Sequence, residues 1–321
     1  MNSKERIDAV LNGRPVDRTP FCLVDGGAWI AKTENISYRT LYGMPDGGAE
    51  LIAKWTDDIE TDVISAVSGV FTACLNAFGS PIHIDDIGSP VNAGAALKDP
   101  ENEIPLLDKS TVREKLLANE FVQNMIIQTK NVKKLVGDRK YLLGDIAAPF
   151  TMASVLVGTQ DFIMLMADEP ELVEQLMDFT TEISAEMFRL LCENGCDIAM
   201  PADPVASGNL ISQTMYEEWA LPALVNLKNK IPEYKYFIAH VCGASGARVQ
   251  SLRDAGVRAF SCDYLVDLDK ALTDADGKMA IMGNLNPAGV LLAGTPDEVY
   301  AEACEKIRIA NGRPYILAPG C

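Results

Sequence analysis

The stretch Tyr236-Phe237-Ile238-Ala239-His240-Val241-Cys242-Gly243 decides how this chain reads. Tyr236 to Val241 is a short apolar run, followed closely by a glycine. Such a run reads as a buried parallel strand, covered by helices on its outer face. In a strand, residues i and i+2 point to the same face. His240 and Cys242 therefore project side by side at the strand's C-terminal end. The chain has only 2 His, so one of them standing two residues from a Cys is informative. A second run, Pro314-Tyr315-Ile316-Leu317-Ala318-Pro319-Gly320-Cys321, places another Cys at the end of the last strand. One imidazole and two thiolates converging from separate strands make three ligands for Zn²⁺, with a fourth position open for chemistry. His-x-Cys alone is a weak pattern, because a Cys in a strand is commonly a small buried hydrophobe. The surroundings carry the reading further.

Outward from this strand, helical and short apolar segments alternate, which indicates a parallel sheet. The expected strands are Pro20–Val24, Asp62–Val67, Tyr141–Ala147, Asp197–Ala202, Tyr236–Val241, Ala259–Asp263, Ala280–Asn284 and Pro314–Ala318. Between them, Glu169 to Asn194 is the clearest helix, with Leu172, Leu176, Phe179, Ile183, Met187, Leu190 and Leu191 at helical spacing. Gly195 stands where a helix C′ residue is wanted. Thr295 and Pro296 open another helix as N-cap and first helical residue. No linker, repeat or low-complexity stretch interrupts the pattern. Eight strands with intervening helices read as one (β/α)₈ TIM barrel over residues 1–321, with N-terminal insertions in the irregular stretch Ile36 to Asp108.

Barrel active sites lie at the C-terminal ends of the strands. Those ends carry Asp25, Asp145, Asp203, His240 with Cys242, Asp263, Asn284 and Cys321. Asp203 and Asn284 have a competing reading as N-caps of the helices that follow them. Asp263 is placed to fill or guard the fourth zinc position, or to orient the imidazole. Asp145, Asp203 and Asn284 are the expected contacts to a cofactor.

The remaining signals exclude more than they assign. A net charge of −17 and a pI of 4.5 argue against nucleic acid or an anionic membrane as partner. The N-terminus reads as an amphipathic helix rather than a signal peptide, and no run of apolar residues is long enough for a membrane span. The 8 Cys are scattered, which fits reduced thiols in a cytoplasm. Cys192 and Cys196 fit no common zinc spacing and read as structural. No dinucleotide fingerprint, nucleophile elbow or phosphate loop is present. The Gly243–Arg248 stretch reads as a turn away from its strand. His83, in an irregular stretch, reads as a structural histidine.

The combination resembles the uroporphyrinogen decarboxylase superfamily, and within it the zinc-dependent corrinoid methyltransferases. The resemblance rests on Lys4-Glu5-Arg6 with Leu11 to Pro20 at the start, Gly144 to Thr151, Asp203-Pro204 with Tyr216 and Pro222, Gly283 to Pro287, and the His240, Cys242 and Gly320-Cys321 signature. It implies a methyltransferase with a catalytic zinc on His240, Cys242 and Cys321. The methyl donor would be methylcobalamin or another corrinoid carried by a partner protein. The acceptor would be a thiol such as coenzyme M, with tetrahydrofolate as the alternative. The decarboxylase is the nearest rival. The superfamily's decarboxylases carry an Arg-rich segment after the first strand, to meet an octacarboxylate substrate. Here Phe21 to Ile30 contains no Arg or Lys. A barrel that only binds a corrinoid protein or a small acid is the non-enzymatic alternative. The resemblance also implies a further loop and closing helix beyond Cys321, so the sequence reads as truncated there.

Overall fold

Seven parallel strands, taken in chain order, lie side by side: β1 (Val63–Ser65), β2 (Tyr141–Ala147), β3 (Ile198–Ala202), β4 (Tyr236–Val241), β5 (Ala259–Cys262), β6 (Ala280–Leu285) and β7 (Tyr315–Pro319). This architecture comes from a computed structural model, which describes residues 1–24, 26–66, 71–84, 86 and 91–321. Phe21 bridges to Leu317 on β7, and Cys22 bridges to Val63 on β1, both in parallel sense. The same short segment thus touches both sheet edges and closes the barrel. Cys22 N–H donates to Leu317 O at 2.9 Å, and Asp62 N–H donates to Phe21 O at 2.7 Å.

The expected strand Pro20–Val24 is therefore reduced to two bridging residues. The chain leaves the sheet soon afterwards, into the helix Gly27–Thr33. Asp25 lies outside the described residues, as does Val67 at the end of the expected second strand. The strands Tyr141–Ala147 and Tyr236–Val241 are observed with the expected bounds, and every residue in them is buried. The long helix runs over Pro170–Glu193, and Gly195 takes a φ of +113°, the conformation its C′ position asks for. The Thr295 side chain caps the helix Pro296–Ala310 in a reciprocal pair with Glu298. The stretch read as irregular holds the helices Tyr38–Gly43 and Pro45–Asp58, and an antiparallel ribbon of Ile82–His83 with Val91–Asn92. His83 sits exposed on that ribbon.

The barrel interior follows the two-residue period of the strands. Tyr141 and Leu143, Ile198 and Met200, Tyr236 and Ile238, Ala280 and Met282, and Ile316 and Ala318 form one apolar cluster. The N-terminal helix Ser3–Leu11 adds Ile7, Val10 and Leu11 to it. At the strands' N-terminal ends, Asp8 accepts hydrogen bonds from the hydroxyls of Tyr141 and Tyr236, at 2.9 and 2.6 Å. Nearby, the fully buried Asp62 receives Arg6 Nη1 at 2.6 Å, Arg18 Nη1 at 2.8 Å and the Phe21 N–H at 3.0 Å. The second, larger cluster lies between the strands and the helical layer.

Continuing the interior period one step further along each strand reaches Asp145, His240 and Asn284, with Ser261 two residues after Ala259. The sequence of the strands therefore puts an apolar floor at one end of the barrel and a polar layer at the other. Asp203 has the opposite parity and belongs to the helix side. No single helix among the described residues is long and apolar enough to cross a membrane.

Candidate metal centre

His240 and Cys242 are delivered by β4 and the turn after it. His240 Nε2 lies 3.1 Å from Cys242 Sγ, and Cys242 Sγ lies 3.4 Å from Cys321 Sγ. All three donor atoms fall within 4.8 Å of one another. His240 is buried and Cys242 half-buried, at the C-terminal end of β4, so the cluster sits at the barrel mouth. The other imidazole nitrogen, Nδ1, is 2.9 Å from Ser261 Oγ. The ring is thus held at both nitrogens.

The cluster suits a soft divalent cation. Around zinc, with bonds of ~2.3 Å to sulfur and ~2.0 Å to nitrogen, tetrahedral ligands stand ~3.8 Å apart for two sulfurs and ~3.5 Å for sulfur and nitrogen. The observed separations are a few tenths of an ångström shorter, so a small outward shift of the side chains seats such an ion. The charge distribution points the same way. Hydrogen bonds from Cys242 and His240 pull the Cys321 thiol well below its usual range, against burial and the charge of Asp263. The Cys242 thiol moves up, first because it shares its proton with Cys321 and then because of burial. Burial lowers the His240 pKa, but Cys321, Asp145 and Asp263 outweigh it and the net shift is upward. The cluster is an anionic sulfur held between two proton donors, which a cation can replace.

Two glycines let the thiols come together. Gly243 has a φ of +67°, and a Cβ there would lie 2.4 Å from both Ser207 Oγ and Asn209 Oδ1. Asn209 Oδ1 in turn accepts the Ala244 N–H at 2.8 Å, pinning the turn that follows Cys242. A Cβ on Gly320 would lie 2.5 Å from Tyr264 N. The chain before Cys321 can pass that peptide only as glycine.

The expected site residues divide into two groups. Asp145 and Asp263 are buried beside the triad, and the charge of each acts on His240 and Cys242. Asp263 Oδ1 accepts the Leu265 N–H at 3.0 Å. It is not part of the group that could hold a metal, and the imidazole's Nδ1 partner is Ser261 rather than Asp263. Asp203 does not cap its own following turn. Its Oδ1 accepts the Thr151 N–H at 3.1 Å and the Thr151 hydroxyl at 2.7 Å, capping the helix Pro149–Val157 from the neighbouring unit. Burial raises its carboxyl to about 6, against the hydrogen bonds from Thr151. Asn284 is fully buried, and its amide donates to Asp263 O at 3.1 Å and Val266 O at 2.8 Å. The following turn is capped by Asn286 instead.

Ser261 and Asn209 were not legible as site residues. Ser261 could have been found only through the pairing of β4 with β5, which sets it opposite His240.

Comparison with known proteins now bears on this geometry. The family described as uroporphyrinogen decarboxylase (URO-D) matches residues 2–321. The chain belongs to the uroporphyrinogen decarboxylase family. Within what it resembles, a methylcobamide:CoM methyltransferase MtaA of Methanosarcina barkeri is 27% identical over 329 residues, covering 99% of this chain and 91% of the relative. A methylcobamide:CoM methyltransferase MtbA of Methanosarcina acetivorans is 28% identical over 324 residues, with the same coverages of 99% and 91%. A uroporphyrinogen decarboxylase of Geobacter metallireducens is 27% identical over 316 residues, covering 94% of this chain and 88% of the relative. The solved structure of a methyltransferase from Methanosarcina mazei superposes with a TM-score of 0.89 at 24% identity, over 100% of this chain and 93% of that one. That likeness establishes the fold. Relatives named for both activities match, so the site must separate them.

Proposed function

We propose that this family member transfers a methyl group from a methylcorrinoid, carried by a partner protein, to a thiol such as coenzyme M. The observation that carries the reading is the His240, Cys242 and Cys321 cluster at the barrel mouth. The methylcobamide:CoM methyltransferases among its relatives favour the same branch. The stretch Phe21 to Ile30, which lacks any Arg or Lys, disfavours the decarboxylase branch.

His240, Cys242 and Cys321 would hold zinc, which supplies Lewis acidity that keeps an acceptor thiol deprotonated near neutral pH. Ser261 holds the imidazole so that Nε2 faces the sulfurs. Asp145 and Asp263 surround the ligands with negative charge, which favours a bound cation. The cluster stands at the C-terminal ends of the strands, and the acceptor sulfur would approach it from the barrel mouth. In the transfer, the acceptor's sulfur–carbon bond forms as the corrinoid's cobalt–carbon bond breaks, and the cobalt keeps the electron pair. A reducing cytoplasm would keep both cysteine ligands as thiols.

The test is metal analysis of the purified protein, combined with demethylation of methylcobalamin. One zinc per chain is expected, with a corrinoid spectral change only when zinc and coenzyme M are both present. Cys242→Ala should abolish metal and change alike. Demethylation by tetrahydrofolate and not by a thiol would move the protein to the folate reading. Full zinc occupancy in Cys242→Ala would remove the centre.

A further inference from the structure

Asn284 is an interior-parity residue at the C-terminal end of β6, yet it is 0% exposed and its amide bonds to backbone carbonyls rather than to the triad. Both of its amide protons are committed. One goes to the carbonyl of Asp263, the other to that of Val266, at 3.1 and 2.8 Å. Its Oδ1 is buried with no hydrogen-bond partner among the described residues. Turning the amide over would set an oxygen against two carbonyls, so the chemistry fixes its orientation. A buried orphan oxygen costs stability, which the two donated bonds must offset.

The Asp263–Val266 segment is a turn. Val266 N–H donates to Asp263 O at 3.0 Å, and the Asp263 side chain accepts from Leu265 N–H. The peptide that joins Asp263 to Tyr264 is the wall against which Gly320 rests. A Cβ on Gly320 would meet Tyr264 N at 2.5 Å, Asp263 C at 3.2 Å and Leu285 O at 3.2 Å. On the other side, Gly320 N–H donates to Leu285 O at 2.8 Å. The peptide is therefore held by Asn284 through its oxygen and contacted by Gly320 at its nitrogen. The next residue is Cys321.

We propose that Asn284 is a positioning residue for Cys321, acting through the Asp263–Tyr264 peptide. It fixes the wall that aims the last thiol at His240 and Cys242. The inference rests on the reading of the triad as a metal centre. It assigns Asn284 no contact with substrate or corrinoid.

The experiment measures zinc affinity by chelator competition, and thiolate ligation from the charge-transfer absorption of the cobalt(II)-substituted protein. Four proteins are compared: wild type, Asn284→Ala, Cys321→Ser and the double variant. Asn284→Ala should bind zinc roughly 10–100-fold more weakly, the usual effect of losing a support behind a ligand. Its cobalt form should show the reduced thiolate band of Cys321→Ser. The double variant should bind no more weakly than Cys321→Ser alone, because the two changes remove the same ligand. Losses that multiply in the double variant, or an Asn284→Ala protein with the wild-type thiolate band, would overturn the proposal. Should Asn284→Ala fail to fold, Gly320→Ala addresses the same contact from the other side. It should give the same reduced band, and a wild-type band there also overturns the proposal. If Cys321→Ser leaves zinc affinity unchanged, the metal-centre reading fails instead, and the two failures are distinguishable.

Discussion

His240 and Ser261 are register partners on adjacent parallel strands, and their side chains meet at 2.9 Å through the imidazole Nδ1. That pairing decides which nitrogen faces the sulfurs. Nδ1 is occupied by the hydroxyl, so Nε2 is left for the metal.

Ser261→Ala should therefore keep the fold, since the hydroxyl lies in a barrel layer that tolerates a small side chain. Zinc affinity should fall by roughly 10-fold or more. Chelator competition on the purified variant measures it. Equal affinity would mean that packing alone holds the ring.

The proton distribution in the metal-free cluster makes metal uptake pH-dependent. His240 and Cys242 both bind their protons more tightly than usual, while Cys321 is easily ionised. A metal needs all three deprotonated. Zinc affinity should rise as pH increases, because binding displaces the protons that His240 and Cys242 hold. At neutral pH, uptake should release the Cys242 proton together with a share from His240, whose proton is held more tightly than usual. Calorimetry in buffers of different ionisation enthalpy counts them. Uptake without proton release would show that the cluster is already ionised.

Much of this site was legible because parallel strands buried on both faces write themselves as apolar runs. Tyr141–Ala147 and Tyr236–Val241 have the bounds their composition predicts, and His240 and Cys242 follow from the two-residue period. The first strand was legible as apolar, but composition could not show that only Phe21 and Cys22 pair before the chain turns. Ser261 escaped because a serine in a strand means nothing until its cross-strand neighbour is known. Asn284 and Asp203 were visible as polar strand ends. Whether such a side chain meets a ligand or a backbone is decided by loops from other parts of the chain. Here those are the turn at Asp263–Val266 and the helix start at Thr151.

Asp203 should leave a mark on stability. Its carboxyl is raised from 3.8 to about 6 in the folded protein, chiefly by burial. Between those values the folded chain holds a proton that the unfolded chain has released. The wild type therefore loses stability as pH rises through this window, by roughly 3 kcal/mol when the loss is complete. Asp203→Asn keeps an oxygen acceptor for Thr151 and carries no charge. In the metal-free protein, the variant should gain on the wild type by about that amount between pH 4 and pH 7, read by urea unfolding. A difference that stays constant with pH would mean that the carboxylate is solvated or compensated in place.

The two activities named among the relatives make opposite demands on the mouth. Uroporphyrinogen brings eight carboxylates, and binding them requires Arg or Lys donors, bidentate where possible. The segment that leaves the barrel after Phe21 and Cys22 contains none as far as Ile30, and the polar layer below it holds Asp145 and Asp263. Arg248 is not available either. Its guanidinium is buried against the Tyr216 ring at 4.6 Å, and it donates to the carbonyls of Ala206 and Ile211. Within that segment and layer a polyanion would meet like charge, with no cationic donor to replace its hydration. The protein should therefore form no coproporphyrinogen from uroporphyrinogen, with or without zinc. It should still demethylate methylcobalamin with a thiol once zinc is present. Fluorescence of the oxidised porphyrin products resolves the first arm, and the corrinoid spectrum resolves the second. Decarboxylation at an enzymatic rate, unaffected by Cys242→Ala, would place the protein in the other branch and leave the three metal-binding side chains without a role in the reaction.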